Sequence, residues 1–132
     1  MQHPKIALTL MAAAVALAGC GEQKPAAKAP AAPAAVEVKI GHVGPMTGQI
    51  AHLGKDNENG ARLAVEQANE AKIKIGGKDV RFVFVAEDDQ ADPKVGTTVA
   101  QKLVDAKVSG IVGHLNSGTT IPASAIYNQA GI

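Results

Sequence analysis

The sequence predicts an α/β fold with a parallel, doubly wound sheet, and three observations lead there. Strand-like and helix-like hydrophobic patterns alternate from Val36 to Ile132 in the order βαβαβα, which is the signature of parallel strands joined by helical crossovers. The segment Val80 to Ala86 (VRFVFVA) is almost continuously apolar, as expected of a strand buried on both faces. Asp92-Pro93 is a helix start, because Asp accepts orphan N–H groups as N-cap and Pro at the first helical position loses no bond it needed.

The elements follow in order. Val36 to Val43 (VEVKIGHV) alternates Val36, Val38 and Ile40 with Glu37, Lys39 and Gly41, the period of a strand. Gly44-Pro45-Met46-Thr47-Gly48 and Gly54 form a loop, and Ala61, Ala64, Val65 and Ala68 then give the i, i+3, i+4, i+7 stripe of a helix from about Asp56 or Asn57 to about Ala71. Ile75-Gly76-Gly77-Lys78-Asp79 reads as a turn before the strand Val80 to Ala86. Val95, Val99, Leu103 and Ala106 stripe a second helix, Val108 to Gly113 is a short third strand, and a third helix runs to about Gln129. No internal repeat interrupts the alternation.

Upstream of Val36 the chain has a different character. Residues 1–20 (MQHPKIALTLMAAAVALAGC) carry Lys5 and then an uncharged run from Ile6 to Gly19. At 1.5 Å per residue that run reaches roughly 21 Å, short of the ~30 Å hydrocarbon core, so it fits a removable secretory segment better than a permanent span. Leu17-Ala18-Gly19-Cys20 resembles the lipobox of bacterial lipoproteins, which implies cleavage after Gly19 and a lipidated Cys20. Gly21 to Ala35 (GEQKPAAKAPAAPAA) has no large apolar residue to bury and reads, with Cys20, as a tether over 20–35. If extended like polyproline it reaches roughly 45 Å from a membrane.

Composition removes several classes of function. There are two Phe, one Tyr and no Trp, too few for aromatic platforms that stack single-stranded nucleic acid. The net charge of +1 points to no nucleic acid or other polyionic partner. A single Cys excludes an internal disulfide, a CxxC redox pair and a cysteine metal cluster.

In a doubly wound sheet ligands sit beyond the carboxyl ends of the strands, which leaves the loops at 44–54, 87–92 and 114–120. The first contains neither GxGxxG nor GxxxxGK[ST], so no nucleotide or other cofactor is expected. Glu87-Asp88-Asp89 reads as a solvated, helix-capping acidic corner rather than a metal site. His42 and His114 lie near strand ends and could approach each other, but two His without a third ligand read as structural rather than as zinc ligands. Ser117 has no nucleophile elbow around it and His114 stands in no triad spacing, so no catalytic residue is assigned. His114 to Thr120 offers hydroxyls at Ser117, Thr119 and Thr120 and close backbone approach at Gly118, which suits a carboxylate at a helix N-terminus. Ser117 or Thr119 capping its own helix is an equal alternative.

Together, Ile40 to Gly48 (IGHVGPMTG), Gly54 to Ala68 with Asn59-Gly60-Ala61, Asp88-Asp89-Gln90-Ala91-Asp92-Pro93, and Gly113 to Thr120 (GHLNSGTT) resemble the amino-terminal part of the branched-chain amino acid (Leu/Ile/Val) binding proteins of bacterial ABC importers. The resemblance covers 36–132 and implies the first lobe of a two-lobe, type I periplasmic binding protein. It implies an amino acid ligand whose α-carboxylate is held by Ser117 with the adjoining Asn116, Gly118 and Thr119, and a cleft bordered by Met46, Thr47 and Leu53. Some members place an aromatic at the Leu53 position and a disulfide cysteine at the Asn116 position. It further implies an inner-membrane ABC permease as partner, a periplasmic location with the membrane reached only through the lipid anchor, and no enzymatic step. Family members are far longer, so the expectation is a truncated lobe with half a ligand site. The competing expectation is a lipid-anchored α/β interaction protein or remnant enzyme that binds no amino acid.

Overall fold

β1 (Val36–Gly44) is the central strand of a four-stranded sheet in a computed structural model that describes residues 35–132. The expected signal segment, the lipidation site Cys20 and nearly all of the tether lie outside the described residues. β1 is followed by α1 (Ala51–Glu70), β2 (Lys74–Ile75), β3 (Lys78–Asp88), α2 (Pro93–Asp105), β4 (Gly110–Val112) and α3 (Ser117–Ala130). The sheet order is β2-β3-β1-β4. β1 runs parallel to β3, from Val36 opposite Val80 to Gly44 opposite Asp88, and parallel to β4, from Ile40 opposite Gly110 to His42 opposite Val112.

The chain leaves β1 towards β3 and then returns across β1 to reach β4. Right-handed crossovers in opposite directions put their helices on opposite faces of the sheet. On one face, Val43 packs with Val99, Leu103 and Val108 in a core of aliphatic side chains, and Ala100, Ala123 and Tyr127 extend it between α2 and α3. On the other, Arg62 of α1 lies 4.6 Å over the Phe84 ring, which in turn stacks on His42. The fold class is therefore α/β with a mostly parallel sheet and alternating helices.

Two features depart from the expected elements. α1 begins at Ala51 rather than near Asp56, so Gly54 lies inside the helix. A Cβ on Gly54 would collide with the Pro45 carbonyl, so glycine at this position permits close approach between α1 and the loop after β1. The expected turn at 75–79 is a β-hairpin in which Lys74 and Ile75 pair antiparallel with Asp79 and Lys78. Gly76 and Gly77 both have positive φ (58° and 77°), as two-residue hairpin turns matched to strand twist require. Beyond this short β2, the outer edge of β3 is covered by Asn69. Its amide donates to the Phe82 carbonyl (2.9 Å) and accepts from the Phe82 N–H (2.8 Å), which satisfies backbone groups that an open edge would leave unpaired.

α2 starts as expected. The Asp92 carboxylate accepts from the N–H groups of Lys94 and Val95, and Pro93 occupies the first turn. α3 ends at Gly131, whose φ of 75° closes the helix in the left-handed conformation that glycine adopts at little cost.

Candidate functional site

The carboxyl ends of β3, β1 and β4 bring three loops to one edge of the sheet, and the acidic run Glu87-Asp88-Asp89 organises them. It is not the solvated corner expected from sequence, because each carboxylate has an internal partner. Successive residues of an extended chain point to opposite sides, so Asp88 turns away from its neighbours Glu87 and Asp89. Glu87 pairs with Lys102 of α2 at 2.7 Å. Asp88 accepts hydrogen bonds from the Met46 N–H (2.8 Å), the Thr47 hydroxyl and the Gln90 N–H (2.9 Å), which ties the loop after β1 to the loop after β3. Burial alone would raise the Asp88 carboxyl, but the donors from Thr47, Gln90 and Met46 together hold it below the usual carboxylate range.

Asp89 is fully buried. One of its oxygens meets His114 Nδ1 at 2.8 Å and the other accepts from the Ala91 N–H at 3.0 Å. His114 Nε2 lies 3.0 Å from the Tyr127 hydroxyl of α3. Burial, with the Asp89 charge adding to it, pushes the Tyr127 phenol up to about 12, so the phenol stays protonated. Asp89, His114 and Tyr127 thus join the loops after β3 and β4 to α3. Both His114 nitrogens are engaged within the protein, and no hydrogen bond joins His114 to Ser117 among the described residues. His42 and His114 line the same cavity without bonding each other, and among the described residues no group of three or more His, Cys, Asp or Glu side chains is arranged to hold a metal ion.

The first turn of α3 is presented differently. Asn116 occupies the N-cap position without making a side-chain cap bond, and its Oδ1 is buried without a partner. Ser117 and Gly118 are exposed. Neither Ser117 nor Thr119 caps the helix. The Thr119 hydroxyl instead donates to the Asn116 carbonyl at 2.9 Å, and Thr119 is fully buried against α2, where a Cβ on Gly96 would come within 3.1 Å of it. The Thr119 side chain therefore faces the interior and not the open edge.

Of the other expected site residues, Met46 is half-buried, Thr47 is exposed with its hydroxyl committed to Asp88, and Leu53 lies exposed in the first turn of α1. Between α1 and the loop after β4 there is a cavity of about 220 Å³, lined by His42, Val43, Asn57, Val112, Gly113, His114 and Leu115. His42 is 1% exposed, and apart from a Val112 backbone group close to its ring neither ring nitrogen makes a hydrogen bond of full geometry. Burial pulls its imidazole below the usual histidine range. The Val112 backbone and the Glu58 carboxylate oppose this without reversing it. The sequence pattern puts His42 near a strand end but not in a cavity, offers Asn57 only as a possible helix start, and gives Tyr127 no role. Their partners come from elements that only the fold brings together.

Residues 37–132 match the family model described as periplasmic binding protein. The chain belongs to the periplasmic binding protein family. This is a family of binding proteins rather than of enzymes. The chain is 40% identical over 96 residues to the Leu/Ile/Val-binding protein homolog 2 of Brucella abortus, an alignment covering 73% of this chain and 25% of that protein. It is 36% identical over 125 residues to the leucine-, isoleucine-, valine-, threonine- and alanine-binding protein of Pseudomonas aeruginosa, covering 95% of this chain and 31% of that one. Its fold is similar to the branched-chain amino acid transporter substrate-binding protein of Streptococcus pneumoniae solved in complex with isoleucine, with TM-score 0.63, 34% identity, and 73% of this chain and 27% of that chain covered. The chain thus spans about a quarter to a third of the length of the curated relatives it matches. Among the described residues, no helix of this binding protein is long and apolar enough to cross a membrane.

Proposed function

We propose that this periplasmic binding protein is the solute-recognising component of an ABC importer for branched-chain amino acids, works outside the cytoplasm without an enzymatic step, and is held at the membrane by lipid on Cys20. The observation that carries the reading is the start of α3. Ser117 and Gly118 are exposed there, no side chain caps the helix, and Asn116 Oδ1 lacks a partner. Orphan N–H groups and the positive end of a helix attract a carboxylate. On this reading Ser117 binds the α-carboxylate through hydroxyl and N–H, and Gly118 lets it approach the backbone. The Asn116 carbonyl, which accepts from the Thr119 and Thr120 N–H groups, fixes the first turn, while Met46, Thr47 and Leu53 border the side-chain end. The Thr119 side chain is left out of the contact set, because its hydroxyl and methyl are spent on packing α3 against α2. The relatives named above support the ligand class, and an inner-membrane permease is the partner such a component serves.

Calorimetric titration of the protein isolated from its source cells with L-leucine tests the reading. Saturable binding is expected, with Ser117→Ala weakening it by roughly tenfold or more, as loss of a hydrogen bond to a charged group does. Unaltered leucine affinity in the variant would remove Ser117 from the site. The intact mass of the same preparation tests the anchor, since lipid on Cys20 adds mass to a chain beginning at that residue.

A further inference from the structure

The carboxyl end of β3 touches both halves of the proposed amino acid site without belonging to either. Asp88 and Asp89 are neighbours there, and their side chains turn to opposite sides. Asp88 accepts from the Met46 N–H at 2.8 Å and from the Thr47 hydroxyl, and these two residues border the side-chain end of the site. Asp89, which has no exposed surface, meets His114 Nδ1 at 2.8 Å. His114 opens the segment that leads into α3, and its carbonyl accepts from the Thr120 hydroxyl at 3.2 Å. A carboxylate only accepts, so His114 donates through Nδ1 while its Nε2 accepts from the Tyr127 hydroxyl at 3.0 Å. Asp89 therefore holds α3 from the loop before it and, by way of the imidazole, from Tyr127 further along the helix. The turn that follows is fixed by the same two side chains. Gln90 and Ala91 both have φ in the left-handed region (54° and 56°), which non-glycine residues adopt at a cost. Asp88 accepts from the Gln90 N–H at 2.9 Å and Asp89 from the Ala91 N–H at 3.0 Å. Among the described residues no side-chain hydrogen bond joins Met46 or Thr47 directly to residues 113–118, so side-chain hydrogen bonding connects the two loops only by way of this strand end.

We infer that Asp88 and Asp89 are positioning residues that set the two halves of the amino acid site independently, Asp88 the border for the ligand's side chain and Asp89, through His114, the helix start that receives its carboxylate. The inference rests on the proposed site and adds how that site is held. Binding groups must keep their productive placement to within about 0.5 Å, which takes a supporting set of locked side chains behind them. Neither carboxylate has to touch the ligand to have this effect. Order that is already present in the free protein is not paid out of the binding free energy. Because the two side chains serve different loops, removing each one should damage recognition of a different part of the same ligand.

The test is calorimetric titration of the protein isolated from its source cells, and of Asp88→Ala and Asp89→Ala, with L-leucine, L-leucine amide and L-alanine. The amide lacks the negative charge and alanine lacks most of the side chain. Asp89→Ala should lower the leucine-to-amide affinity ratio by roughly tenfold, the worth of a hydrogen bond to a charged group, and leave the leucine-to-alanine ratio in place. Asp88→Ala should do the reverse, lowering the leucine-to-alanine ratio by roughly tenfold, which is within what a few methylenes contribute to discrimination. If an alanine variant does not fold, a milder one is read in the same way. Tyr127→Phe removes only the hydroxyl that holds His114 Nε2, and Asp88→Asn puts an NH₂ where one acceptor oxygen stood. Losses that are equal for all three ligands, or ratios that do not move, would overturn the inference and leave the proposed site standing. An unaltered protein that does not distinguish leucine from its amide or from alanine, or binds none of the three, would overturn the proposed site and the inference with it.

Discussion

The two faces of the sheet are built on different principles. Under α2 and α3 the centre is aliphatic and closed, with the buried Asp89–His114–Tyr127 network confined to its carboxyl edge: Leu103, Ala100 and Ala123 have no exposed surface, and Gly41 is small because a Cβ there would press on Ile111 and Leu103. Under α1 the contacts are polar. Only Gly54 and Glu58 of α1 are buried, and Glu58 is held between Lys55 and Arg62 at 3.0 and 2.7 Å while Arg62 covers Phe84. The side-chain hydrogen bonds from Lys55 and then Arg62 keep the Glu58 carboxyl below its usual range. The dry face fixes α3 and the loop before it, and the polar face leaves room for the cavity beside His42.

The sharpest way to break this division is to truncate matched leucines. Leu103→Ala on the dry face should cost about 2–5 kcal/mol, whereas Leu63→Ala on α1, where the side chain is 54% exposed, should cost roughly 0.5 kcal/mol or less. Urea unfolding midpoints check both, and equal losses would erase the contrast. Removing the two hydrogen bonds that Asn69 makes to Phe82 by Asn69→Ala should cost about 1–2 kcal/mol, showing that the polar face contributes through edge protection rather than apolar burial. Asp92→Ala should cost about 1 kcal/mol by uncapping α2, measurable as a lowered Tm.

The smallest effect expected is a pH dependence. The folded-state pKa of His42 is depressed by burial, so the unfolded chain binds the proton more readily. The stability His42 contributes is therefore present above its unfolded value near 6.5 and is lost as pH falls below it. Unfolding midpoints at pH 7.5 and pH 5.5 should show a decline that His42→Val reduces, and an equal decline in both proteins would show that His42 is not its source.

Much of the fold was legible because its signals are local. Asp92-Pro93 marks the start of α2, the apolar run after Val80 marks an interior strand, and the alternation from Val36 marks β1. The sequence pattern starts α1 several residues late because Gly54 looks like a turn former in isolation, and only the packing against Pro45 explains a glycine inside the helix. The Gly76-Gly77 hairpin was readable as a turn, but β2 is only two residues long and too short to show alternation. The loops that carry the site were identified from topology alone. Their internal wiring was not, because Asp88 meets Met46 across 42 positions and Asp89 meets His114 across 25, and no periodicity encodes contacts of that range.

The claim at the centre of the account is that the uncapped start of α3 at the carboxyl edge of the sheet receives an amino acid's carboxylate. Titrating the protein with L-isoleucine and with L-isoleucine amide, which keeps the side chain and amine but has no negative charge, tests it most directly. The amide should bind at least about tenfold more weakly, given the strength of charge-assisted hydrogen bonds. Equal affinity for acid and amide would contradict the account.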